Sequence, residues 1–266
     1  MFEKISSKNN EKIKFIDKLK KSSHRKKFGL FPVEGFREIS RAHSRQFLAE
    51  LIFCEEYFAG RDDFYALVER LGRENVKITQ VTPDVYRKIS LCENGSGLIA
   101  LARAKNVAID ACTPPANGLF VATENIEKPS NLGAIIRTAE SAGVDGVIVL
   151  GRSTEIFNPH VIRNSQGAVF FTPIYHASTE EFLAFMRRNQ LSLYVTSPGA
   201  QRLYFEEDFR GGTIILVGSE KGGVSDFWLR ERRTIRIPQN GFSDSLNVSV
   251  ATAIVLYECV RQRLAK

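Results

Sequence analysis

Four short, almost wholly apolar runs in the second half of the chain restrict its fold more than any other feature. Leu119–Thr123, Val147–Leu150, Leu193–Thr196 and Ile214–Val217 are only four or five residues long. Strands of that length can be apolar on both sides only where both faces of their sheet are covered, as in a parallel sheet flanked by helices. Helical patterns over 131–142, 179–189 and 224–232 alternate with these runs, which is the rhythm of an α/β domain. A last helix is expected over 245–263 from Leu246, Val250, Ala253, Ile254 and Tyr257. Early β-branched residues also allow a strand over 246–250, but length and the alanine-rich continuation favour helix.

The first half alternates on a smaller scale. Ile13, Ile16 and Leu19 recur at helical spacing among Lys12, Lys14, Lys18, Lys20 and Lys21, so residues 10–21 read as a basic amphipathic helix. Ser22–Ser23 breaks it, and a second basic cluster, Arg25–Lys26–Lys27, follows. Strand patterns at Phe28–Val33, Leu51–Cys54, Val76–Thr79 and Leu98–Ala102 alternate with helical ones over 34–44, Phe64–Leu71 and Pro83–Ile89. Thr82 and Pro83 suit the N-cap and first position of the last of these. The expected organisation is a small α/β domain over 1–105 that begins with a basic arm, 1–27. A linker rich in turn formers follows over 106–117 (Asn106, Thr113, Pro114, Pro115, Asn117), and a larger domain over 118–266.

Charge is distributed unevenly. Of 37 basic and 30 acidic residues, ten and three lie within residues 1–27, so the entire net charge of +7 sits there and the remaining 27 of each sign cancel. A basic block on a neutral body points to contact with a polyanion. No run of 18 apolar residues offers a transmembrane helix, and no apolar stretch follows the basic start as in a secretory signal. Glu3, Glu11 and Asp17 disfavour an organellar transit peptide. Four scattered cysteines without a C-x-x-C pair, and four histidines without ligand spacing, indicate reduced thiols and no metal. A cytoplasmic protein without membrane association is expected.

Three segments of the second half carry more polar groups than a plain core needs. Asn131-x-Gly133-x-x-x-Arg137 opens a helix after a strand: Leu132, Ile135, Ile136 and Ala139 form its apolar stripe, while Gly133 and Arg137, four apart, share another face. The run Ile214–Val217 passes into a glycine-rich turn with a carboxylate, Gly218-Ser-Glu220-Lys-Gly222-Gly223. Ligands of open α/β sheets bind at such strand ends, but this is neither a dinucleotide fingerprint nor a phosphate loop. Ile237-Pro238, followed by Ser245-Leu-Asn247-Val-Ser249, interleaves polar side chains with apolar ones. Asp244 or Ser245 can cap the helix, and buried amides and hydroxyls need partners.

In this order the segments resemble the three motifs of the SpoU/TrmH family of the SPOUT superfamily, which are RNA ribose 2′-O-methyltransferases using S-adenosyl-L-methionine. The resemblance covers about 118–266. The part before it, with Val33-Glu34-Gly35 and Gly97-Leu-Ile-Ala, is similar to the substrate-binding domain that often precedes this catalytic domain and has a ribosomal-protein-like, RNA-binding fold. The resemblance implies a parallel-sheet α/β domain with a deep trefoil knot, an exception to the rule that chains do not knot, and a homodimer with its active site at the subunit interface. It also implies a bent cofactor held mainly through backbone by Leu216, Val217, Gly218, Ile237, Gln239, Leu246 and Ser249. Asn131, Lys18, Lys20, Lys21, Arg25, Lys26 and Lys27 are the expected RNA contacts. Gln239 stands where an apolar residue is common in the family, and Lys221 where glycine is frequent.

Methyl transfer to a ribose hydroxyl is an in-line displacement that needs alignment and removal of a weakly acidic proton. The resemblance assigns hydroxyl activation to Arg137. A guanidinium is a poor base, so stabilising the developing alkoxide, or holding the adjacent phosphate, is preferred. Ser245 and Asn247 would orient Arg137 or the ribose, and Glu220 would fix Arg137 or the third motif. Large-subunit (23S) ribosomal RNA is the expected substrate. The alternatives are transfer RNA or a non-catalytic RNA-binding or ribosome-assembly role, the latter opposed by the intact Arg137, Glu220, Ser245 and Asn247.

Overall fold

In the computed structural model, which describes residues 2–58, 60–105, 107–242 and 244–265, contacts gather the chain into two units. One comprises residues 1–105 and 157–170, the other residues 106–156 and 171–266.

The first unit is built on a mixed five-stranded sheet. Its elements are β1 (Glu3–Ile5), α1 (Glu11–Lys18), α2 (Ser22–Phe28), β2 (Leu30–Glu34), α3 (Phe36–Ser44), β3 (Leu48–Phe53), α4 (Asp62–Arg73), β4 (Lys77–Val81), α5 (Pro83–Ile89) and β5 (Leu98–Arg103). Strand order is β1-β4-β3-β5-β2, parallel among the first three and antiparallel for β3–β5 and β5–β2. Asn10 caps α1 through Oδ1, which accepts from the Lys12 amide at 2.9 Å. The apolar stripe of α1 then buries Ile13, Ile16 and Leu19 against Ile5, Val81, Val85 and Ile89.

The basic arm over residues 1–27 is built into this unit, because β1 pairs with β4 and the stripe of α1 completes a core. Arg25, an expected RNA contact, is not at the surface. It is buried, and its Nη1 donates to the carbonyls of Leu19 at 2.9 Å and Lys20 at 2.7 Å, closing the turn between α1 and α2. The second basic cluster is itself helical: α2 stops at Gly29, whose left-handed φ of 60° suits glycine, and cations in a last helical turn are favourable.

The first unit also takes in residues 157–170, which the sequence reading places in the second domain. Here Asn158 caps the short helix α7 (Pro159–Asn164), Phe157 stacks on Phe31 with centroids 4.3 Å apart, and Phe170 packs on Phe47. Aromatic burial decides the membership of this segment, and such pairing leaves no local trace in sequence.

The second unit is an eight-stranded sheet in which every pairing is parallel. Its strands are β6 (Val107–Ala108), β7 (Leu119–Glu124), β8 (Gly146–Leu150), β9 (Ile174–Ala177), β10 (Ser192–Thr196), β11 (Arg202–Leu203), β12 (Thr213–Val217) and β13 (Arg233–Arg236), with α6 (Pro129–Ser141), α8 (Thr179–Arg188), α9 (Asp226–Glu231) and α10 (Val248–Leu264). The order is β11-β13-β10-β12-β7-β8-β9-β6. The four apolar runs are its central strands, and β7, β8 and β12 are buried along their whole length. The last segment is helical, as length suggested, but its cap is Asn247 rather than Asp244 or Ser245. β6, β9, β11 and β13 went unread because they are short or carry charged ends. The expected linker is partly structural: Ile109 and Cys112 are buried in this unit's core, and Asn106 lies outside the described residues.

Because Ile16 is 1% exposed, Ile16→Ala should destabilise the protein by about 2–5 kcal/mol, read from urea unfolding. A loss below about 1 kcal/mol would mean that α1 is not part of the core.

Candidate cofactor and active site

Parallel strands send all their carboxyl ends to one edge of a sheet, where ligand sites of α/β folds form. Here the ends of β10, β12 and β13 and the start of α10 surround a cavity of roughly 280 Å3, lined by 196–198, 218–221, Gly223, 235–237, Gln239, Ser245, Leu246 and three residues of α10. That is near the lower end of small-molecule pockets, about 300–1,000 Å3. Two bonds hold the strand ends together: Thr196 Oγ1 donates to the Leu216 carbonyl at 3.1 Å, and the Ser197 amide to the Ile235 carbonyl at 3.0 Å.

The glycine-rich turn after β12 folds back on itself. The Ser219 amide donates to the Gly223 carbonyl at 3.0 Å and the Gly223 amide to the Ser219 carbonyl at 2.9 Å. A Cβ on Gly218 would lie 2.1 Å from the Gly223 carbonyl carbon. Backbone cannot yield as a side-chain tip can, so the turn itself demands this glycine.

A strut that the sequence reading missed anchors the far end of this turn. Glu124, at the end of β7, is 9% exposed. Its carboxylate accepts from the Ser225 amide (2.7 Å), Ser225 Oγ (2.9 Å) and Trp228 Nε1 (3.0 Å). The only available signal was a carboxylate closing an apolar strand, which many exposed residues share.

Six of the expected site residues meet at the cavity: Gly218, Glu220, Ile237, Gln239, Ser245 and Leu246. Leu216, Val217 and Ser249 do not line it. Leu216 and Val217 are buried within β12, and the Ser249 amide and hydroxyl both donate to Asn247 Oδ1, at 2.9 and 2.7 Å. Asn247 thus caps α10, and its Nδ2 donates to Asn131 Oδ1 at 3.2 Å. This bond joins the first and third motifs across 116 positions. Asn131, expected at an RNA surface, is buried at 6% exposure. Arg137 stands exposed on α6, outside the cavity lining and with no hydrogen bond or ion pair to the described residues, so neither Ser245 nor Asn247 orients it in this chain. Of the expected site residues, Asn131 and Glu220 each have a buried polar atom, Nδ2 and Oε1, without a hydrogen-bond partner among the described residues. The nearest cation to the latter is Lys128 Nζ, at 3.9 Å. Thr196, which ends β10, and Ser197 and Pro198 after it were also missed as lining, because they carry no motif of their own. Among the described residues no cluster of His, Cys, Asp and Glu is placed to hold a metal ion, and no helix is long and apolar enough to cross a membrane.

An all-parallel sheet with a cavity over its strand ends, walled by backbone turns rather than a phosphate loop, defines an α/β protein that binds a small organic ligand. Residues 118–257 match the SpoU rRNA methylase family, and residues 10–100 match the MRM3-like substrate binding domain. The chain belongs to the SpoU rRNA methylase family. It is 26% identical to RlmP of Bacillus subtilis, a 23S rRNA guanosine 2′-O-methyltransferase, over 95% of this chain and 97% of that protein. Among solved structures it is similar to an AdoMet-bound rRNA methyltransferase from Sinorhizobium meliloti (26% identity, TM-score 0.90, 99% of each chain). It is also similar to an RNA 2′-O ribose methyltransferase (36% identity, TM-score 0.84, 98% of this chain and 99% of that one).

Two substitutions test the cavity's construction. Gly218→Ala should abolish stabilisation by S-adenosylmethionine in a thermal melt; retained stabilisation would mean that the turn can open without harm. Glu124→Gln turns one acceptor into a donor facing Ser225 or Trp228. Cofactor affinity should fall about tenfold or more, the scale of a hydrogen bond to a charged group. The emission of Trp228, the single tryptophan, should shift as well. Unchanged calorimetric affinity and emission would separate the strut from the cavity.

Proposed function

We propose that this protein transfers a methyl group from S-adenosylmethionine to a ribose 2′-hydroxyl of 23S ribosomal RNA, with the second unit as catalytic domain and the first as RNA-binding domain. The observation that carries the reading is the convergence of the second and third motif turns on one cavity, with the first motif tied in through Asn131 and Asn247. The residues suit the cofactor: Ile235, Ile237, Leu246 and Val255 offer apolar walls, Gly218, Glu220 and Lys221 bring turn backbone to the lining, and Glu220 is its carboxylate. When bound, S-adenosylmethionine supplies an electrophilic sulfonium methyl.

The chain's own groups then have distinct tasks. The apolar walls exclude water. Glu220, with a buried oxygen still lacking a donor, and Asn131, with a buried amide still lacking an acceptor, have capacity for new partners, which buried polar groups ordinarily fill. Arg137 is free to reach the RNA, where its donors hold the phosphate beside the target ribose and stabilise alkoxide charge as the hydroxyl loses its proton. Lys18, Lys21, Lys26 and Lys27 are exposed, and none forms an ion pair with the described residues, so they are available to phosphates. Lys20 is partly engaged, with Asp17 at 3.0 Å and the Lys88 carbonyl at 2.6 Å.

The reading includes a homodimer. Leu246, Val250 and Tyr257 are 38%, 48% and 51% exposed along the start and one side of α10, and burying them against a second copy would remove apolar area from water beside the cavity. It also includes a threaded, knotted C-terminal segment and a cytoplasmic setting, where ribosomal RNA is met.

Arg137→Ala should lower the methylation rate by roughly 10²–10³-fold, while S-adenosylmethionine binds with unchanged affinity by calorimetry. Near-normal methylation by this variant would overturn the assignment. Mapping ribose methylation in rRNA from cells with and without the protein identifies the nucleotide.

A further inference from the structure

The basic start of the first unit carries an aromatic group that packing does not require. Phe28, the last residue of α2, is 45% exposed. Gly29 ends the helix, so a polar residue at 28 would serve the turn equally well. Phe28 is not an isolated apolar spot. Phe15 of α1 meets it edge-on with centroids 5.0 Å apart, and His24, one turn earlier on α2, lies 6.3 Å away with its ring tilted by 32°. Cations accompany the group: Lys27 Nζ stands 5.5 Å from the Phe28 centroid, and Lys26, its neighbour in sequence, is exposed. Neither lysine has a carboxylate within ion-pair distance among the described residues.

An aromatic ring beside unpaired cations, next to the stretch of residues 1–27 that holds the chain's whole net charge, matches a ligand with flat apolar faces strung on a polyanion. We propose that Phe28 is a stacking platform for an unpaired base of the RNA substrate, with Lys26 and Lys27 on the flanking phosphates. This rests on RNA being the substrate. Bases inside a duplex are covered by their neighbours, so only a base in a loop, bulge or end can reach the ring. Stacking on an aromatic side chain is tolerant of base identity, because every base has a π-face. The platform therefore selects unpaired structure rather than sequence. Phe15 backs the ring, and the Lys27 ammonium, held by a weak cation–π contact, is free to move to a phosphate as the base arrives.

Binding of the full-length protein to a labelled single-stranded oligoribonucleotide, and to a fully paired duplex of the same sequence, tests this by fluorescence anisotropy. Phe28→Leu keeps an apolar contact for Phe15 but removes the π-face. It should weaken single-strand binding by roughly five- to a hundredfold, leave duplex binding unchanged and leave the salt slope unchanged, since no cation is lost. Phe28→Trp should restore or tighten single-strand binding. Lys26→Gln with Lys27→Gln should instead flatten the salt slope. Single-strand affinity of Phe28→Leu within twofold of wild type, or an equal loss on both RNAs, would overturn the platform. So would loss, in that variant, of self-association or of binding to phosphatidylserine vesicles with RNA affinity intact. A wild-type protein that binds neither RNA and leaves rRNA unmethylated would instead remove the underlying functional reading.

Discussion

The constraint on which the second unit depends is the pairing of β12 between β10 and β7, with all three strands running the same way. A parallel neighbour on each side means that every strand end along this stretch points to the same edge. The turn after β12, the loop after β10 and the segment after β13 therefore have no other place to converge. The cavity is a product of strand direction before it is a product of any side chain. The Thr196–Leu216 and Ser197–Ile235 bonds then set the depth at which the ends are held, and Glu124 pins the exit of the glycine turn from the neighbouring strand.

Much of this was legible in sequence for a simple physical reason. Strands buried on both faces must be apolar throughout, so β7, β8, β10 and β12 declare themselves, and amphipathic helices such as α6 and α8 show their period. The strands that stayed hidden, β6, β9, β11 and β13, lie toward the outside of the sheet order, where polar and charged residues are tolerated. The site was half legible. Gly218, Glu220, Ile237 and Ser245 stood out because they interrupt or follow apolar runs. Glu124, Thr196 and Ser197 did not, because their roles are bonds to partners between 20 and 104 positions away, and nothing local marks a partner at that range. The motif residues also divide by task in a way their spacing does not reveal: Asn247 works as a helix cap and a tie to Asn131, whereas Arg137 is exposed, with no hydrogen bond or ion pair to the described residues.

The first unit makes the same point about charge. Residues 1–27 carry the excess of basic residues, yet the stripe of Ile13, Ile16 and Leu19 is core, and Arg25 spends its charge on two backbone carbonyls. A run of lysines thus describes only the outer side of these helices. What that side can recognise depends on how rigidly the inner side holds it, and here the inner side is a sheet and a packed helix pair. The cations and Phe28 are presented from a fixed surface, so less ordering entropy opposes binding than for a flexible tail.

The two glycine-turn and arginine positions bear on how activity can be judged in any chain that carries this pattern. Gly218 is dictated by the turn's own backbone, so a protein that had given up chemistry but kept its fold would still have to keep it. Arg137 is exposed and forms no hydrogen bond or ion pair with the described residues, so no polar partner in the chain requires it. The diagnostic weight of the two residues is therefore opposite to their visibility: the glycine reports on the scaffold, and under the proposed role of Arg137 the arginine is the position at which a working enzyme and an inert descendant would part.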